Sequence, residues 1–429
     1  MKNKFINTCI ELSKIYRTIT GVGISEVLAL IKKKVGRIKI ISFKSGTKVF
    51  DWTIPNEWNV RDAYIADSKG KKIIDFKNHP LHLMPYSIPV DKNISKKELI
   101  SKIYTNKKLT NAIPYVTGYY ANDWAFCDKY SNVEKIKKLN TNKFYVKIDS
   151  FFNPKGFLKL GEVYIKGKSK KEILFSTYIC HPFMANNESS GPTLAMGLVN
   201  YINKNVKNNY FSYRFLFLPE TIGSIAYLSK NYKKMKKNIF AGYVLTCVGD
   251  DENFSLIMTP SENSISDISI KASLQHEKNV KFYSFLNRGS DERQFCSPNI
   301  DLPIATFCRS KFGTYPEYHT SLDNHKLVSE RGFQRSFDVF KNIIISFENS
   351  LYPKSNFFGE PMMSKRKLYP KINLKSHNIK ERKFLDVLAY CNGERNIFDI
   401  SLITKINLKN INKIIFTLKE NKLISIIKK

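Results

Sequence analysis

The residues best placed to do chemistry follow an apolar stretch of the chain. Residues 172–179, EILFSTYI, have the pattern of a strand buried on both faces, and the apolar run from Pro192 to Val206 has helical length and spacing. His181 therefore lies at the carboxyl end of a core strand, the edge at which open α/β sheets bind ligands. An imidazole there can transfer protons or bind a metal ion. The stretch predicts a reactive site at this edge.

Other polar residues follow further predicted strands, and a later loop and a later turn supply more. Because the carboxyl ends of parallel strands share one edge, we expect these residues to meet near His181. Thr246, Cys247 and Asp250 follow the third predicted strand. The remaining candidates are Asn187 and Glu188 in the turn after His181, Glu220 after the second strand, Arg288, Asp291, Glu292 and Arg293 in the loop, and Tyr315, Glu317, His319 and Asp323 in the turn.

Each candidate also has a structural interpretation. Glu220 could cap the helix that begins near Ile222, and residues 290–293, SDER, could form a helix start with charged first-turn residues. Cys180 and Cys247 fit small core residues. These interpretations do not explain why all the candidates fall at one sheet edge, which favours a functional site.

The order of elements predicts an α/β fold with a mixed, largely parallel sheet sandwiched by helices. Strands at 172–179, 213–220, 240–249 and 302–308 alternate with helical runs. A stretch rich in strand signals and aromatic residues predicts a β-rich insertion. We expect a catalytic domain at 1–40 and 131–352, the inserted domain at 41–130, a linker at 353–378 and a separate unit at 379–429.

The C-terminal unit has the order of a winged helix. Three helical patterns precede LISII at 423–427, which has the pattern of a short strand. The third helix is basic, but several of its apolar residues must face its own core. Winged helices serve as docking or dimerisation modules as well as DNA-binding ones. We therefore expect a docking or dimerisation role for this unit rather than DNA binding.

Composition narrows the class of protein. The 429 residues are 42% hydrophobic, enough for a large core, and the net charge of +33 comes mainly from scattered lysines. That charge favours a solvated basic surface over a patch for nucleic acid or an acidic substrate. Seven cysteines without CxxC spacing indicate reduced thiols and a cytoplasmic location. No segment has the pattern of a signal peptide or a membrane span, and neither GxxxxGK[ST] nor GxGxxG after a strand occurs.

Five motifs then carry a resemblance to a known family. CHPFMANNESSGP, PETIGSIAYL, LTCVGDD, GSDERQFCSP and YPEYHTSLD occur in this order. They resemble the co-catalytic zinc aminopeptidase superfamily of the leucyl aminopeptidase type. More closely, they resemble the bacterial and archaeal aminopeptidase-like family with an inserted β-domain and a C-terminal winged helix. The resemblance implies that fold over nearly the whole chain, and it also implies self-assembly into a homo-oligomer.

Three positions depart from the superfamily pattern. Two-zinc members have a metal-bridging aspartate where this chain has Asn187, and a second glutamate where it has Thr221. Their third-strand aspartate corresponds to Thr246. With three carboxylate ligands missing, a two-metal site is not expected.

The matching residues are His181, Glu220 and His319, which correspond to the first histidine ligand, the general base and the last histidine ligand. Two imidazoles and one carboxylate suffice for one catalytic zinc ion per chain with an open position for water. Glu220 would be either the third ligand or the base. If it is a ligand, the proton acceptor would be Asp291, Glu188 or Glu317.

Other residues would contact the substrate. Arg288 and Arg293 offer planar donors for a carboxylate or phosphate, and Asp291 or Glu292 could hold a free α-amine. A salt-bridged loop without substrate contact is an equal alternative for this group. Asn187 could orient water or the histidines. We assign substrate binding to Asn187, Glu188, Arg288, Glu292, Arg293, Tyr315 and Glu317.

These inferences lead to two functional hypotheses. The first is a metal-dependent hydrolase of the aminopeptidase type, which cleaves an amide bond in a small peptide or an aminoacyl or acylamino substrate. The alternative is a catalytically degenerate peptidase fold that acts as a regulator or binding module through its winged helix, on DNA or protein. The three missing carboxylates motivate the alternative.

Overall fold

A computed structural model describes residues 4–368 and 379–428. Within these ranges the helices are α1 (Lys4–Ser13), α2 (Val22–Val35), α3 (Lys96–Ser101), α4 (Tyr130–Lys137), α5 (Ser190–Asn205), α6 (Ile222–Asn238), α7 (Ile265–Leu274), α8 (Glu292–Phe295), α9 (Glu330–Asn349), α10 (Ile379–Leu388), α11 (Ile397–Thr404) and α12 (Leu408–Glu420). The strands are β1 (Lys39–Lys44), β2 (Lys48–Val49), β3 (Trp52–Thr53), β4 (Glu57–Ala66), β5 (Lys72–Asp75), β6 (Val90–Ser95), β7 (Ile103–Tyr104), β8 (Phe126–Cys127), β9 (Lys143–Asn153), β10 (Phe157–Ile165), β11 (Glu172–Tyr178), β12 (Ser212–Leu218), β13 (Ile239–Leu245), β14 (Phe254–Ile257), β15 (Val280–Tyr283), β16 (Ile304–Cys308), β17 (Tyr352–Ser355) and β18 (Ile424–Ile427).

An eight-stranded mixed sheet forms the centre of the predicted catalytic domain, termed the catalytic region, in the order β1-β10-β12-β11-β13-β16-β14-β15. The four strands β12, β11, β13 and β16 run parallel, whereas β10 and β14 join them antiparallel. Every residue of β11, β12 and β16 is buried, as expected for strands covered on both faces. The predicted α/β fold with a largely parallel sheet is confirmed.

Two groups of helices cover this sheet. Helices α1, α2, α5, α7 and α9 contact one another, with α5 lying against β11 and β13. Helices α6 and α8 contact each other, and they lie against β10 and β16 respectively. Each of β11, β12 and β13 runs into a loop at its carboxyl end. These three loops carry the candidates from His181 to Asp250, whereas the later candidates follow β15 and β16.

A second sheet of four strands, β5-β4-β9-β6, packs beside the catalytic region. Its central strand β9 comes from residues 143–153, beyond the boundary at 130 that the sequence suggested. Conversely, β1 pairs with β10 of the large sheet. The structure differs from the expected boundaries here because strand patterns alone do not show which sheet a strand joins.

The C-terminal unit is a winged helix that packs against the catalytic region. Helix α12 lies against α9, where the Asn412 side chain bonds to the hydroxyls of Ser346 and Ser350. Strand β17 pairs with β18, so residues 352–355 belong to the wing, although the predicted linker begins at 353. The rest of that linker through 368 lies within the described residues, and residues 369–378 lie outside them.

Candidate functional site

A buried chain of three side chains holds His181 in place. Glu188 Oε2 lies 2.6 Å from His181 Nδ1, and Glu188 Oε1 lies 3.8 Å from Arg17 Nε. Arg17 comes from the segment between α1 and α2, and its guanidinium also donates to Ser189 Oγ at 2.9 Å. Arg17 is 1% exposed and Glu188 is fully buried. The imidazole is thereby fixed with Nδ1 toward Glu188 and Nε2 free for other chemistry.

The free nitrogen of His181 faces Glu220, whose Oε2 lies 3.6 Å from Nε2. Both side chains line a cavity of about 360 Å³. Although burial by itself lowers the pKa of His181, its contacts with Cys180 and Glu188 outweigh that effect and raise the pKa well above its ordinary value. Burial raises the pKa of the Glu220 carboxyl, against the opposing effect of His181. The two groups face each other at the cavity wall, with their nearest atoms just beyond direct hydrogen-bond distance.

Glu220 projects from a strained turn between β12 and α6. The Ile222 amide donates to the Glu220 carbonyl at 2.7 Å, and Thr221 between them has φ 63° and ψ −72°. This is a γ-turn in the left-handed region, which a β-branched residue rarely adopts. The Thr221 amide donates to Asp291 Oδ1 at 2.8 Å, which supports the turn. Backbone strain beside a candidate catalytic carboxylate is typical of functional sites.

Asp291 lies behind Glu220 and is fully buried. Its Oδ1 accepts from the Thr221 amide and from Ser224 Oγ, each at 2.8 Å, while Oδ2 has no partner among the described residues. Burial and the nearby Glu220 charge raise the pKa of Asp291 to about 8. The raised pKa favours the protonated form of Asp291, which limits the negative charge beside Glu220.

His319 lines the same cavity as His181 and Glu220. Its ring lies 5.5 Å from the His181 ring, centroid to centroid, and stacks on Tyr318 at 3.9 Å. Burial and the neighbouring His181 lower the pKa of His319 to about 3, so its imidazole is neutral. Among the described residues its ring nitrogens have no hydrogen-bond partner. His319 thus offers an unprotonated nitrogen to the cavity.

The three positions that depart from the superfamily pattern carry neutral side chains. Asn187 Nδ2 donates to the Tyr178 hydroxyl at 2.8 Å, and that hydroxyl bonds to Thr246 Oγ1. Thr246 in turn donates to the Asn187 carbonyl at 3.1 Å. Thr221 Oγ1 accepts from Arg293. These positions therefore form hydrogen bonds with each other and with the protein, without any anionic ligand for a second ion.

The turn that carries Asn187 is fixed from across the site. Asp323 accepts hydrogen bonds from the amides of Asn186 and Asn187 and from the Tyr315 hydroxyl, at 2.6, 2.9 and 2.9 Å. Burial raises the pKa of Asp323 to about 6 despite these bonds. Tyr315 therefore helps to position the turn through Asp323, whereas the sequence suggested that it contacts the substrate.

Several of the predicted substrate contacts lie away from the cavity. The Glu292 carboxylate is buried and accepts from the amides of Gly289 and Ser290 and from Thr306, so it shapes its own loop. Arg288 is exposed and packs over the Phe285 ring. Neither Arg288 nor Glu317 lines the cavity, whereas Arg293 does. Asn187 and Glu188 are buried and do not line the cavity; they contact Tyr178 and His181 instead.

Other residues at the site had no sequence signal. Arg17 reaches the site from an N-terminal segment that has no reactive-site motif, and its role follows only from its contact with Glu188. The inserted region supplies Trp52, Tyr119 and Tyr120 to the cavity wall. The aromatic richness of residues 41–127 was visible, but nothing in the pattern placed it over His181.

The donor set suits one metal ion better than two. Ligands of a tetrahedral zinc ion lie about 2.0–2.1 Å from it and thus about 3.4 Å from each other, close to the 3.6 Å between His181 Nε2 and Glu220 Oε2. A carboxylate on the other imidazole nitrogen, as Glu188 provides, is the usual partner of a metal-binding histidine. The His319 nitrogens do not complete a group of three within 4.8 Å; among the described residues only Cys180, His181 and Glu188 do. A zinc ion shared with His319 would therefore require this residue to move toward the other two.

Comparison with solved structures shows which folds the chain resembles. A provisionally named peptidase from Clostridium acetobutylicum superposes with a TM-score of 0.87 and 35% identity, over 99% of this chain and 96% of that one. The zinc aminopeptidase BSAP from Bacillus subtilis matches with a TM-score of 0.58 and 16% identity, over 79% of this chain and 93% of that one. The fold is therefore that of the zinc aminopeptidases. The leucyl type of that class stays a prediction.

Sequence comparison adds a relative and two domain families. A Clostridium acetobutylicum protein, provisionally named for polysaccharide biosynthesis with an aminopeptidase-like domain, is 40% identical over 91% of this chain and 89% of its own. Residues 351–426 match a winged helix-turn-helix family, which confirms the predicted C-terminal fold. Residues 6–350 match the family described as a domain of unknown function, DUF4910. Because this match covers most of the sequence, the chain belongs to the DUF4910 family.

Proposed function

We propose that the protein is a metal-dependent amide hydrolase of the aminopeptidase type. The observation that carries this proposal is the pairing of His181 Nε2 with Glu220 Oε2 at 3.6 Å in the cavity wall, with Glu188 fixing the other nitrogen. A held imidazole beside a carboxylate of raised pKa is the arrangement that activation of water requires. The zinc aminopeptidase fold supports the same chemistry.

One zinc ion per chain would be held by His181 and His319, with Glu220 beside it. When bound there, zinc would polarise the amide carbonyl and make water a stronger acid. Where Glu220 is the base and not a third ligand, it would accept a proton from water and pass it to the departing nitrogen. Its raised pKa brings it closer to the neutral range in which such transfers are efficient. The raised pKa of Asp291 behind it limits the negative charge beside Glu220.

The substrate would be a small peptide or an aminoacyl or acylamino compound. The cavity of about 360 Å³ has room for the groups on both sides of one amide bond. Arg293, which lines it, could contact a carboxylate or phosphate of the substrate. The relative named for polysaccharide biosynthesis favours a sugar-linked amide over a free peptide.

One observation supports the alternative function, in which the protein is a regulator that acts through its winged helix. Lysines 409, 413 and 419 lie on α12 with Phe416, which is 65% exposed. Against DNA binding, the Asn412 side of this helix is occupied by α9. A docking role for the winged helix is therefore the better form of this alternative. Self-assembly stays a prediction from the resemblance.

The expected location is the cytoplasm, because the seven cysteines are buried free thiols. In the described ranges no helix combines the length and the apolar run needed to cross a bilayer.

Elemental analysis of protein purified without chelators tests the proposal. We expect about one zinc per chain, and its loss when His181 and His319 are both changed to alanine. The same preparations should be assayed on aminoacyl anilides, short peptides and N-acylated amino sugars. No zinc after metal is added, together with no hydrolysis across this panel, would contradict the proposed function.

A further inference from the structure

The catalytic cavity opens beside a second depression at Tyr120. This depression, which we call the aromatic groove, has a volume of about 450 Å³ and is lined mainly by residues 53–56, Tyr86, 120–122 and Phe152. Tyr120 lines both the groove and the cavity of His181 and Glu220. A molecule with its amide bond at Glu220 could therefore extend past Tyr120 into the groove.

Two large aromatic side chains stand exposed where the groove and the cavity meet. Trp52 is 39% exposed and Tyr120 is 53% exposed, and their rings make an edge contact at 5.9 Å. The Tyr120 hydroxyl donates to the Thr53 carbonyl at 2.9 Å, and Tyr120 has a φ of 65°. The ring is thus held out by a bond and by an uncommon backbone conformation. Fixed, exposed aromatic faces beside a reactive cavity point to a ligand that covers them.

The polar groups of the groove are neutral. Its lining contains no Asp, Glu, Lys, Arg or His side chain. The structure gives the exposed side-chain amides of Asn56 and Asn122 no hydrogen-bond partner, so each can both donate and accept. A charged amine, carboxylate or phosphate would find no counter-charge here. Free amides beside flat aromatic faces instead suit a ring with hydroxyl groups at its edge and C–H bonds on its face.

We propose that the aromatic groove binds a neutral sugar ring of the substrate. This inference rests on the proposed function, and it narrows the substrate to an amide attached to a carbohydrate. The ring lies against Trp52 and Tyr120, its hydroxyls bond to Asn56 and Asn122, and the amide reaches His181 and Glu220. A neutral peptide segment is the competing occupant.

The test measures binding without turnover, on the full chain carrying Glu220→Gln. Trp52 fluorescence reports occupancy, because the other two tryptophans, Trp58 and Trp124, are 1% and 5% exposed. The probes are N,N′-diacetylchitobiose and the neutral dipeptide N-acetyl-alanyl-alanine amide. We expect the saccharide to change the fluorescence saturably, and the dipeptide to bind at least tenfold more weakly.

Substitution of the amides completes the test. Asn56→Ala with Asn122→Ala should weaken saccharide binding at least tenfold, whereas Asn142→Ala, an exposed asparagine outside the groove, should not change it. The inference is overturned if the saccharide does not bind, if the dipeptide binds equally well, or if the double variant binds like the parent. Saccharide binding, together with no zinc and no hydrolysis across the amide panel by the wild type, would retain the groove and reject the proposed function. Amide hydrolysis by the wild type without saccharide binding would retain the proposed function and reject the sugar-binding role of the groove.

Discussion

Glu188 Oε2 lies 2.6 Å from His181 Nδ1, and both residues come from the one loop between β11 and α5. The seven-residue separation is bridged by a π-helical turn at Ala185–Ser189, which directs Glu188 back toward the histidine. Arg17, 172 residues from Ser189, holds the carboxylate from behind. The orientation of the imidazole thus depends on a contact between the N-terminal segment and the site loop.

Glu188→Gln should reduce the proposed activity or the zinc affinity about 10- to 100-fold, as is usual for partners of metal-binding histidines. The amide keeps the shape of the side chain, but it removes the charge that faces His181 and Arg17. Metal affinity by competition with a chelator and kcat/KM on the best amide substrate measure the effect. Glu11→Gln is the control, because its ion pair with Lys34 is partly exposed and should contribute less than about 1 kcal/mol. Unchanged affinity and activity would contradict the positioning role.

Glu220→Gln separates the two roles that the sequence left open. If Glu220 is the base, turnover should fall by at least about 100-fold while bound zinc stays near one per chain. If Glu220 is a ligand, the variant should lose the metal. Zinc analysis and a hydrolysis assay on the same preparation distinguish these outcomes. Retained turnover would exclude Glu220 from both roles.

Asp291→Asn should change how stability depends on pH in chelator-treated protein. The folded pKa of about 8 lies above the ordinary value of 3.8, so the folded state keeps a proton that the unfolded state releases. The stability due to Asp291 is complete below pH 3.8 and is lost as pH rises toward 8, by at most about 1.4 kcal/mol per pH unit. Urea unfolding from pH 5 to 9 should show a shallower decline for the variant than for the wild type. Parallel curves would show that Asp291 is not protonated in the folded state.

Asn412→Ala should destabilise the packing of the winged helix on the catalytic region by about 1–3 kcal/mol, since the buried Ser346 and Ser350 hydroxyls lose a partner. Asn410→Ala on the exposed side of the same helix is the matched control. Limited proteolysis and thermal unfolding would report the difference. If both variants behave alike, the contact between α12 and α9 does not contribute to stability.

The parts of the fold set by short-range patterns could be predicted. The apolar runs of the sequence predicted the fully buried strands β11, β12 and β16. The order of the motifs predicted that His181, Glu220 and His319 meet at one edge of the sheet, and all three line one cavity. The predictions that were wrong concern elements whose positions depend on contacts between distant parts of the sequence. The sheet that β9 joins, and the pairing of β17 with β18, are set by partners that strand propensity does not identify.

The substrate-binding predictions were also limited by contacts that the sequence does not reveal. The sequence placed Glu292 beside the reactive residues, but it could not show that the loop amides of Gly289 and Ser290 already occupy the carboxylate. Nor could it reveal Arg17, whose importance comes from a contact with a residue 171 positions away. Residue type and order indicate which groups can react, whereas the partners that engage them come from the tertiary structure.

The γ-turn at Thr221 determines how a substitution at this position would affect the stability and the activity of the protein. Glycine adopts positive φ without strain, so Thr221→Gly would relax the turn, but it would also remove the Oγ1 that Arg293 contacts and loosen the backbone that aims Glu220. Relief of the backbone strain would raise stability, whereas the lost contact with Arg293 and the greater freedom of glycine in the unfolded chain would lower it. The site would be weakened in either case. Thermal unfolding and activity of Thr221→Gly, each compared with the wild type, would therefore show whether the natural threonine serves stability, activity or both.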